Sequence, residues 1–238
     1  MTFSYVFNNG FFGSNLENTS QIRIFIWMSV ICSVIGYLLG SINWGVILSR
    51  KKYGGDVRNY GSGNAGATNM LRTYGKRAGA VTLGLDALKA AVASLIARVL
   101  LGSIGAYFAG FFCILGHAFP VFFKFKGGKG VVVISTMCLL TTPVVFLILL
   151  AVYAIVFLGY KMVSLASIMV AALYPLILYM FVGPHLAVLI AFFSGAFVVY
   201  LHRANISRIF NHTESKIDLS KLRKHKKENK DVINEEEE

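Results

Sequence analysis

Acidic charge is what this sequence has least of: 11 Asp and Glu stand against 23 Lys and Arg in 238 residues, and charged residues together make up 14% of the chain. Soluble domains carry about 25%, so an ordinary water-soluble fold is excluded. Cysteine is sparse as well. Cys32, Cys113 and Cys138 are odd in number, sit inside apolar runs and have no metal-ligand spacing, which excludes a disulfide framework and a zinc site. An acidic cluster of the kind that holds Mg²⁺ is also missing. What is present is apolar: 56% of residues are hydrophobic and mean hydropathy is +0.65, so the chain uses lipid as its solvent. A formal net charge of +12 suits nucleic acid, an anionic bilayer or anionic substrates, and the distribution of the bases decides among them.

A membrane-spanning helix needs about 20 mostly apolar residues. Ile22 to Ser49, Gly79 to Leu101 and Ser103 to Phe123 each supply them. Leu165 to Phe181 and Leu186 to Leu201 do so with flanking residues, Gly183 and Pro184 marking the turn between them. The run after Arg23 is about twice as long as a signal-peptide core and has no convincing cleavage site, so it reads as an uncleaved span. Val131 to Leu158 is an apolar run of 28 residues interrupted by Thr141, Thr142 and Pro143, and reads as one tilted helix or two short ones.

Basic loops face the cytoplasm, and that rule arbitrates. Arg50 to Arg77 holds seven bases and one acid, Lys124 to Lys129 three bases, and the chain after Leu201 nine. Two spans separate the first two loops, so an even number must separate Lys129 from the tail. An unbroken helix gives three. A split at Pro143, which a helix interior tolerates poorly, gives four and brings Lys161 inside. The expected fold is all-α: a polytopic bundle of seven transmembrane helices, amino terminus outside and carboxyl terminus cytoplasmic. Residues 1–21 form an outer segment, 22–214 the membrane domain, and 215–238 a charged, disordered, solvated tail. The segment from Val131 to Leu140 is short for a crossing; it enters at a slant or stops partway.

This topology gathers three polar clusters on one face, and convergent polar groups suggest a site. The first runs from Asp56 to Arg72. Its Gly61, Gly63 and Gly66 match a dinucleotide fingerprint, but no strand precedes them, so a nucleotide fold is set aside. There remains a loop of exposed backbone N–H groups with Ser62, Asn64, Thr68 and Asn69 as neutral donors and Arg58 and Arg72 as charges, able to cradle an anionic oxygen group. The second, Gly116 to Gly130, puts Lys124, Lys126 and Lys129 among Gly127, Gly128 and Gly130. Gly130 after Lys129 rules out a Walker loop, while a helix beginning at Val131 would add its positive dipole end beside Lys129. The third runs from His202 through Asn205 and Arg208 to Glu214, with Lys161, Ser164 and Ser167 on the same side.

Bases flanking a membrane helix are usually topogenic anchors, which accounts for Arg50, Lys51, Lys52, Lys76, Arg77 and the tail lysines. Lys126, Lys129 and Arg72 stand apart, embedded among glycines and neutral donors. His117 suits a structural histidine and a ligand contact equally well. Asp86 and Lys89, three apart on one helical face, are most simply an intramembrane ion pair.

At these clusters the sequence resembles the PlsY family, bacterial membrane acyltransferases that use acyl phosphate to acylate glycerol 3-phosphate. The resemblance runs from about Gly40 to Ile217. It is carried by Gly-Ser-Gly-Asn-x-Gly-Ala-Thr-Asn-x-x-Arg at 61–72, Gly-His-x-x-Pro-Val-Phe-x-x-Phe-Lys-Gly-Gly-Lys-Gly at 116–130, Val-Ser-Leu-Ala-Ser at 163–167 and His-Arg-x-Asn-Ile-x-Arg at 202–208. It implies site roles for Ser62, Asn64, Asn69, Arg72, Lys129, Ser167, His202, Asn205, Arg208 and Glu214. The sequence departs from the family at Asn43, where proline is frequent, at Val133, where threonine is, and at His212, where glycine is common. The implied reaction forms lysophosphatidic acid by direct attack of the glycerol hydroxyl on acyl phosphate, without an acyl-enzyme. Ser62, Arg72, Lys129, His202 and Asn205 would carry the chemistry, and the base is a substrate phosphate or His202. Substrate would also meet Gly61, Gly63, His117, Lys126, Gly127, Gly128 and Gly130.

The sequence lacks the His-x-x-x-x-Asp motif of acyltransferases that use acyl-CoA or acyl carrier protein, and the Asp-rich motif of metal-dependent phosphotransferases. The expectation is therefore no metal, no redox cofactor and no nucleic acid. It is a monomer in the bacterial plasma membrane, multi-pass, with acyl phosphate, glycerol 3-phosphate and membrane lipid as its partners and a cytoplasmic active site. A transporter for an organic phosphate would place its binding groups near the bilayer midplane, often with an internal repeat, and neither feature is legible.

Overall fold

A computed structural model describes residues 10–11, 19–183 and 185–217, and these are helix and loop without a strand. Helix α1 spans Thr19–Ser41, α2 Trp44–Tyr53, and a single 3₁₀ turn Val57–Asn59. Ala67–Ala118 is helical apart from Gly75 and Gly102, both of positive φ, and so divides into α3a (67–74), α3b (76–101) and α3c (103–118). A second 3₁₀ turn, Val121–Phe123, precedes α4, Val131–Thr141. Then come α5, Pro143–Tyr160; α6, Val163–Val182; α7, Leu186–Leu201; and α8, Arg203–Phe210. Pro184, residues 1–9 and 12–18, and the tail from 218 lie outside the described residues.

Three sharp reversals organise the bundle. Gly75, Gly102 and Gly183 combine φ of 86°, 67° and 66° with ψ of −177°, −161° and −162°, a region of backbone space open essentially to glycine alone. Each folds the chain back on itself. Gly79 packs on Leu71 across Gly75, Gly105 on Ala97 across Gly102, and Gly195 on the Ala171 carbonyl across Gly183. Close approach through small residues is the usual way helices associate in lipid. It recurs where Gly36 and Gly40 of α1 meet the Ala109 and Cys113 carbonyls of α3c. Outside, Trp27, Ile155, Leu158 and Met180 are exposed, as lipid-facing side chains must be.

Among the described residues four helices are long and apolar enough to cross a membrane, or five if the bent pair of α7 and α8, 57° apart, counts as one span. The run expected from Ile22 to Ser49 is interrupted: α1 stops at Ser41, and Asn43 caps α2, its Oδ1 accepting from Val46 N at 3.1 Å. Asn43 thus does as an N-cap what proline would do by fixing φ. The run from Ser103 likewise ends as a helix at Ala118 rather than at Phe123. The break expected at Pro143 is present: Pro143 opens α5 at the first helical position, where its missing N–H costs nothing. At 11 residues α4 is about 16 Å long, half the hydrocarbon thickness. It runs beside α3c, with Gly130 against Ile114, Gly110 against Met137, and Thr142 Oγ1 3.0 Å from Tyr107 Oη.

Candidate active site

Helices α3b, α4, α5 and α6 and the loops above them enclose a cavity of about 490 Å³. Its walls are apolar over most of their length, through Leu83, Ile134, Leu139, Phe146, Leu149, Tyr153 and Val170. The opposite end is polar and draws on all three sequence clusters: Ser62, Asn64 and Arg72; Lys129 and the amino terminus of α4; His202, Asn205 and Glu214, with Ser164 and Ser167 of α6. Asp86, near this end, is 16 residues from the Gly102 reversal, or about 24 Å along α3b. Arg72, also at this end, lies three residues before the Gly75 reversal, so the polar end is on the side of the bundle away from Gly102.

Glu214 is the node that joins the clusters. Its Oε1 accepts from Ser164 Oγ at 2.7 Å and from Asn205 Nδ2 at 2.8 Å, and its Oε2 from Arg208 Nε at 2.7 Å. Burial favours its neutral form, but these three donors outweigh burial and lower its pKa, so it is ionised. Asn205, held at its amide nitrogen, turns Oδ1 to Lys129, whose Nζ donates to it. Burial pushes Lys129 down to about 8, with Glu214 opposing and Arg208 and Arg72 adding to the fall. His202 takes its place through Nδ1, 2.8 Å from the Val198 carbonyl. A carbonyl only accepts, so the proton sits on Nδ1 and Nε2 is an acceptor. Burial, reinforced by the Lys129 charge, pushes His202 to about 4 and keeps it neutral.

The Glu214 loop carries the departure from the family pattern at His212. That residue adopts φ of 57°, the left-handed conformation a glycine would take without strain, and Glu214 is nonetheless fully engaged. Ile217 N donates to the Lys161 carbonyl at 2.9 Å, so the chain follows the body past the boundary expected at 215.

In the first cluster Asn69 is fully employed by its own loop. Nδ2 donates to the carbonyls of Val57, Tyr60 and Asn64, while Oδ1 accepts from Ser62 N. It shapes the loop that presents Ser62. Asn64 similarly accepts from Gly66 N at 2.9 Å. Arg58, expected as one of the loop's charges, is a clamp: it chelates Asp56 and donates through Nη1 to the carbonyls of Phe123 and Lys126, both at 2.8 Å. Its hydrogen bond and charge hold the Asp56 carboxyl well below the usual carboxylate range.

The second cluster differs most from expectation. Gly127 N and Gly128 N are not open to an anion; they donate to the Ala118 and His117 carbonyls at 3.0 and 2.9 Å and close the end of α3c. Lys126 is exposed, and neither it nor Gly61, Gly63, Gly127, Gly128 or Arg208 lines the cavity. Gly130, Asn64, Asn69, Ser167 and His117 do. Each of the three acids described, Asp56, Asp86 and Glu214, is paired with a base. Sequence reasoning missed Ser164, which it placed on the same side without a role, and Tyr174, a buried residue that lines the cavity.

Fold and cavity together define an integral membrane protein whose pocket is apolar along its length and cationic at one end. The model of the family described as glycerol-3-phosphate acyltransferase matches residues 30–212. A glycerol-3-phosphate acyltransferase of Rhizobium etli is 42% identical over 202 residues, covering 85% of this chain and 98% of its own. One of Bacillus subtilis is 41% identical over 184 residues, covering 77% and 95%. Among solved structures, the integral membrane glycerol 3-phosphate acyltransferase PlsY in its glycerol 3-phosphate form aligns with TM-score 0.77 and 37% identity, covering 82% of this chain and 98% of that one. Its lysophosphatidic acid form aligns with TM-score 0.74 and 36% identity. The chain belongs to the glycerol-3-phosphate acyltransferase family of PlsY, and is an enzyme.

Proposed function

We propose that this enzyme transfers the acyl group of an acyl phosphate to glycerol 3-phosphate, yielding lysophosphatidic acid and inorganic phosphate with no acyl-enzyme between. The observation that carries the reading is the pairing of two cations, Lys129 and Arg72, at the head of an apolar slot. Two phosphates need two cations, and an acyl chain needs the slot. The solved relative is named for glycerol 3-phosphate and was captured with lysophosphatidic acid, which supports the same substrate and product here.

Lys129 and the N–H groups opening α4 take the acyl phosphate group, and Arg72 takes the phosphate of glycerol 3-phosphate. Arg208, tied to Glu214, acts by holding Asn205 and through it Lys129. A glycerol hydroxyl oxygen then bonds to the acyl carbon, the acyl carbon–oxygen bond to phosphate breaks, and inorganic phosphate leaves. Ser62 lies at the carbonyl oxygen and donates to it as charge develops. An acyl phosphate is already activated, so positioning and charge stabilisation carry most of the rate. The hydroxyl proton passes to His202 Nε2 or to a substrate phosphate. Phosphates brought against Lys129 cancel one of the two causes of the low His202 pKa and raise it toward working pH. His202→Gln separates these routes: activity above about a tenth of the parent assigns the proton to phosphate, since a general base contributes 10²-fold or more.

The topology that fits is seven spans, with α3b and α3c separate across Gly102 and α4 a short, partial one. Residues 22–217 are the catalytic body, Ile217 still bonding to Lys161, and the site faces the cytoplasm of a bacterial plasma membrane. The protein acts as a monomer. The test is purified protein in detergent with radiolabelled glycerol 3-phosphate and either palmitoyl phosphate or palmitoyl-CoA. Labelled lysophosphatidate from palmitoyl phosphate alone supports the reading; product from palmitoyl-CoA alone overturns the donor.

A further inference from the structure

One cluster of ionisable side chains has no part in the reaction as derived, yet is buried against the polar end of the cavity: Asp86 and Lys89 of α3b and His117 of α3c, each no more than 5% exposed at the side chain. Lys89 Nζ lies 2.9 Å from Asp86 Oδ1 and 3.0 Å from His117 Nδ1, and donates to the carbonyls of Gly40 and Ile42 at 2.9 and 2.6 Å. An ammonium has no lone pair to offer, so His117 Nδ1 accepts and its ring proton is on Nε2. Lys89 thus joins the end of α1 to α3b and α3c, and fixes the tautomer and tilt of one imidazole.

That imidazole abuts the Lys129 loop. His117 O accepts from Gly128 N at 2.9 Å, and its ring lies so close over Gly128 that a Cβ there would overlap Nε2. The three nearest neighbours of such a Cβ are all His117 ring atoms, and Gly128 is not among the glycines of positive φ. Glycine is required at 128 by the ring and not by the backbone. The next residue is Lys129. The desolvation cost of burying these groups is offset by their ion pair and hydrogen bonds, and what the cluster abuts is the path of the backbone into Lys129.

We propose that His117 is a positioning residue for acyl transfer: locked by Lys89 and Asp86, it wedges the 127–129 backbone into the path that carries Lys129 Nζ to Asn205 and over the cavity. The inference rests on Lys129 being the phosphate ligand. A misplacement of about 1 Å costs on the order of 100-fold in rate, and the contact makes that displacement controllable from either side.

The experiment is steady-state kinetics on purified full-length variants, with radiolabelled glycerol 3-phosphate, palmitoyl phosphate and a thermal melt of each. Gly128→Ala lowers kcat/KM by about 100-fold. Adding His117→Ala, which removes the obstructing ring, restores at least about tenfold over Gly128→Ala alone, because contacting sites are not additive. His117→Asn keeps an acceptor for Lys89 but has no ring over Gly128; it melts like the parent and raises KM for the phosphate substrates about tenfold, within the reach of side chains that position substrate. Losses that multiply in the double variant overturn the proposal, as does parent-like KM in His117→Asn. Lys129→Met retaining parent activity would instead defeat the assignment of Lys129, a separate failure.

Discussion

The proposed reaction concentrates on Lys129, and the environment of that residue makes two outcomes measurable. Lys129→Met removes a charge-assisted contact to phosphate in a buried site and is expected to lower kcat/KM by about 10²–10³, the usual effect of deleting one preorganised donor. The tail variant Lys221→Met should leave it unchanged, and equal effects would refute the assignment. The second outcome is pH dependence. Burial lowers the Lys129 pKa to about 8, so the cationic form that binds phosphate is present below that pH and lost above it. The expected kcat/KM profile falls on its alkaline side with a midpoint near 8, reporting the free enzyme, and a limb still flat at pH 9.5 would remove Lys129 from the role. The place of Lys129 at the cavity was legible in the sequence because a base among glycines is no anchor. The glycines themselves were not read correctly. Gly127 and Gly128 turn their amides onto α3c, and no local pattern distinguishes a glycine that opens an amide to ligand from one that admits a neighbouring ring. The clamp made by Arg58 was not legible for a related reason: it bonds carbonyls 65 and 68 residues away.

At the scale of elements, two connections hold the site together. Arg58 bonds the Asp56 loop to the Phe123–Lys126 loop, and so couples the Ser62 and Lys129 clusters. Arg58→Met leaves Asp56 its Arg50 partner and removes, besides the Arg58–Asp56 bonds, the two charge-assisted hydrogen bonds that join the loops, each worth about 1.5–3 kcal/mol. The expected result is a rise of about tenfold or more in KM for both phosphates with a smaller change in kcat, measured by varying each substrate in turn. The second connection is the set of glycine reversals. A Cβ at Gly183 would meet nothing within 4 Å, so Gly183→Ala tests the backbone alone. It should cost about 1–3 kcal/mol and lower the melting temperature in detergent while kcat/KM of the folded enzyme stays as in the parent. The reversals at Gly102 and Gly183 and the break at Pro143 were readable, since glycine between apolar runs and proline within one have few alternatives. The division of the first run at Asn43 was not, because Asn43 caps α2 by a hydrogen bond that hydropathy does not register.

For the molecule as a whole, the argument turns on which ends of the bundle share a face. Residues 10–11 pack at the Gly102 reversal, Phe11 N donating to Val99 O at 3.1 Å, whereas Ile217 bonds to Lys161 at the opposite end beside the polar cavity. The two described ends of the chain therefore lie at opposite ends of the bundle, the arrangement that the proposed seven spans would give. The same proposal rests on counting bases in the loops, since an excess of Lys and Arg marks the cytoplasmic side. Cys32, Cys113 and Cys138 are all buried, so a single cysteine introduced on the surface can be labelled above a low background. Arg77→Cys, Lys124→Cys and Lys161→Cys, at exposed positions around the site end, should react with a membrane-impermeant maleimide only in inverted vesicles, and Phe11→Cys only in intact cells. Lys124→Cys reacting from the outside while Arg77→Cys reacts from the inside would place the Lys129 and Arg72 segments on different faces. A pocket holding two phosphates side by side needs both, and direct transfer between them would then have no site in which to occur.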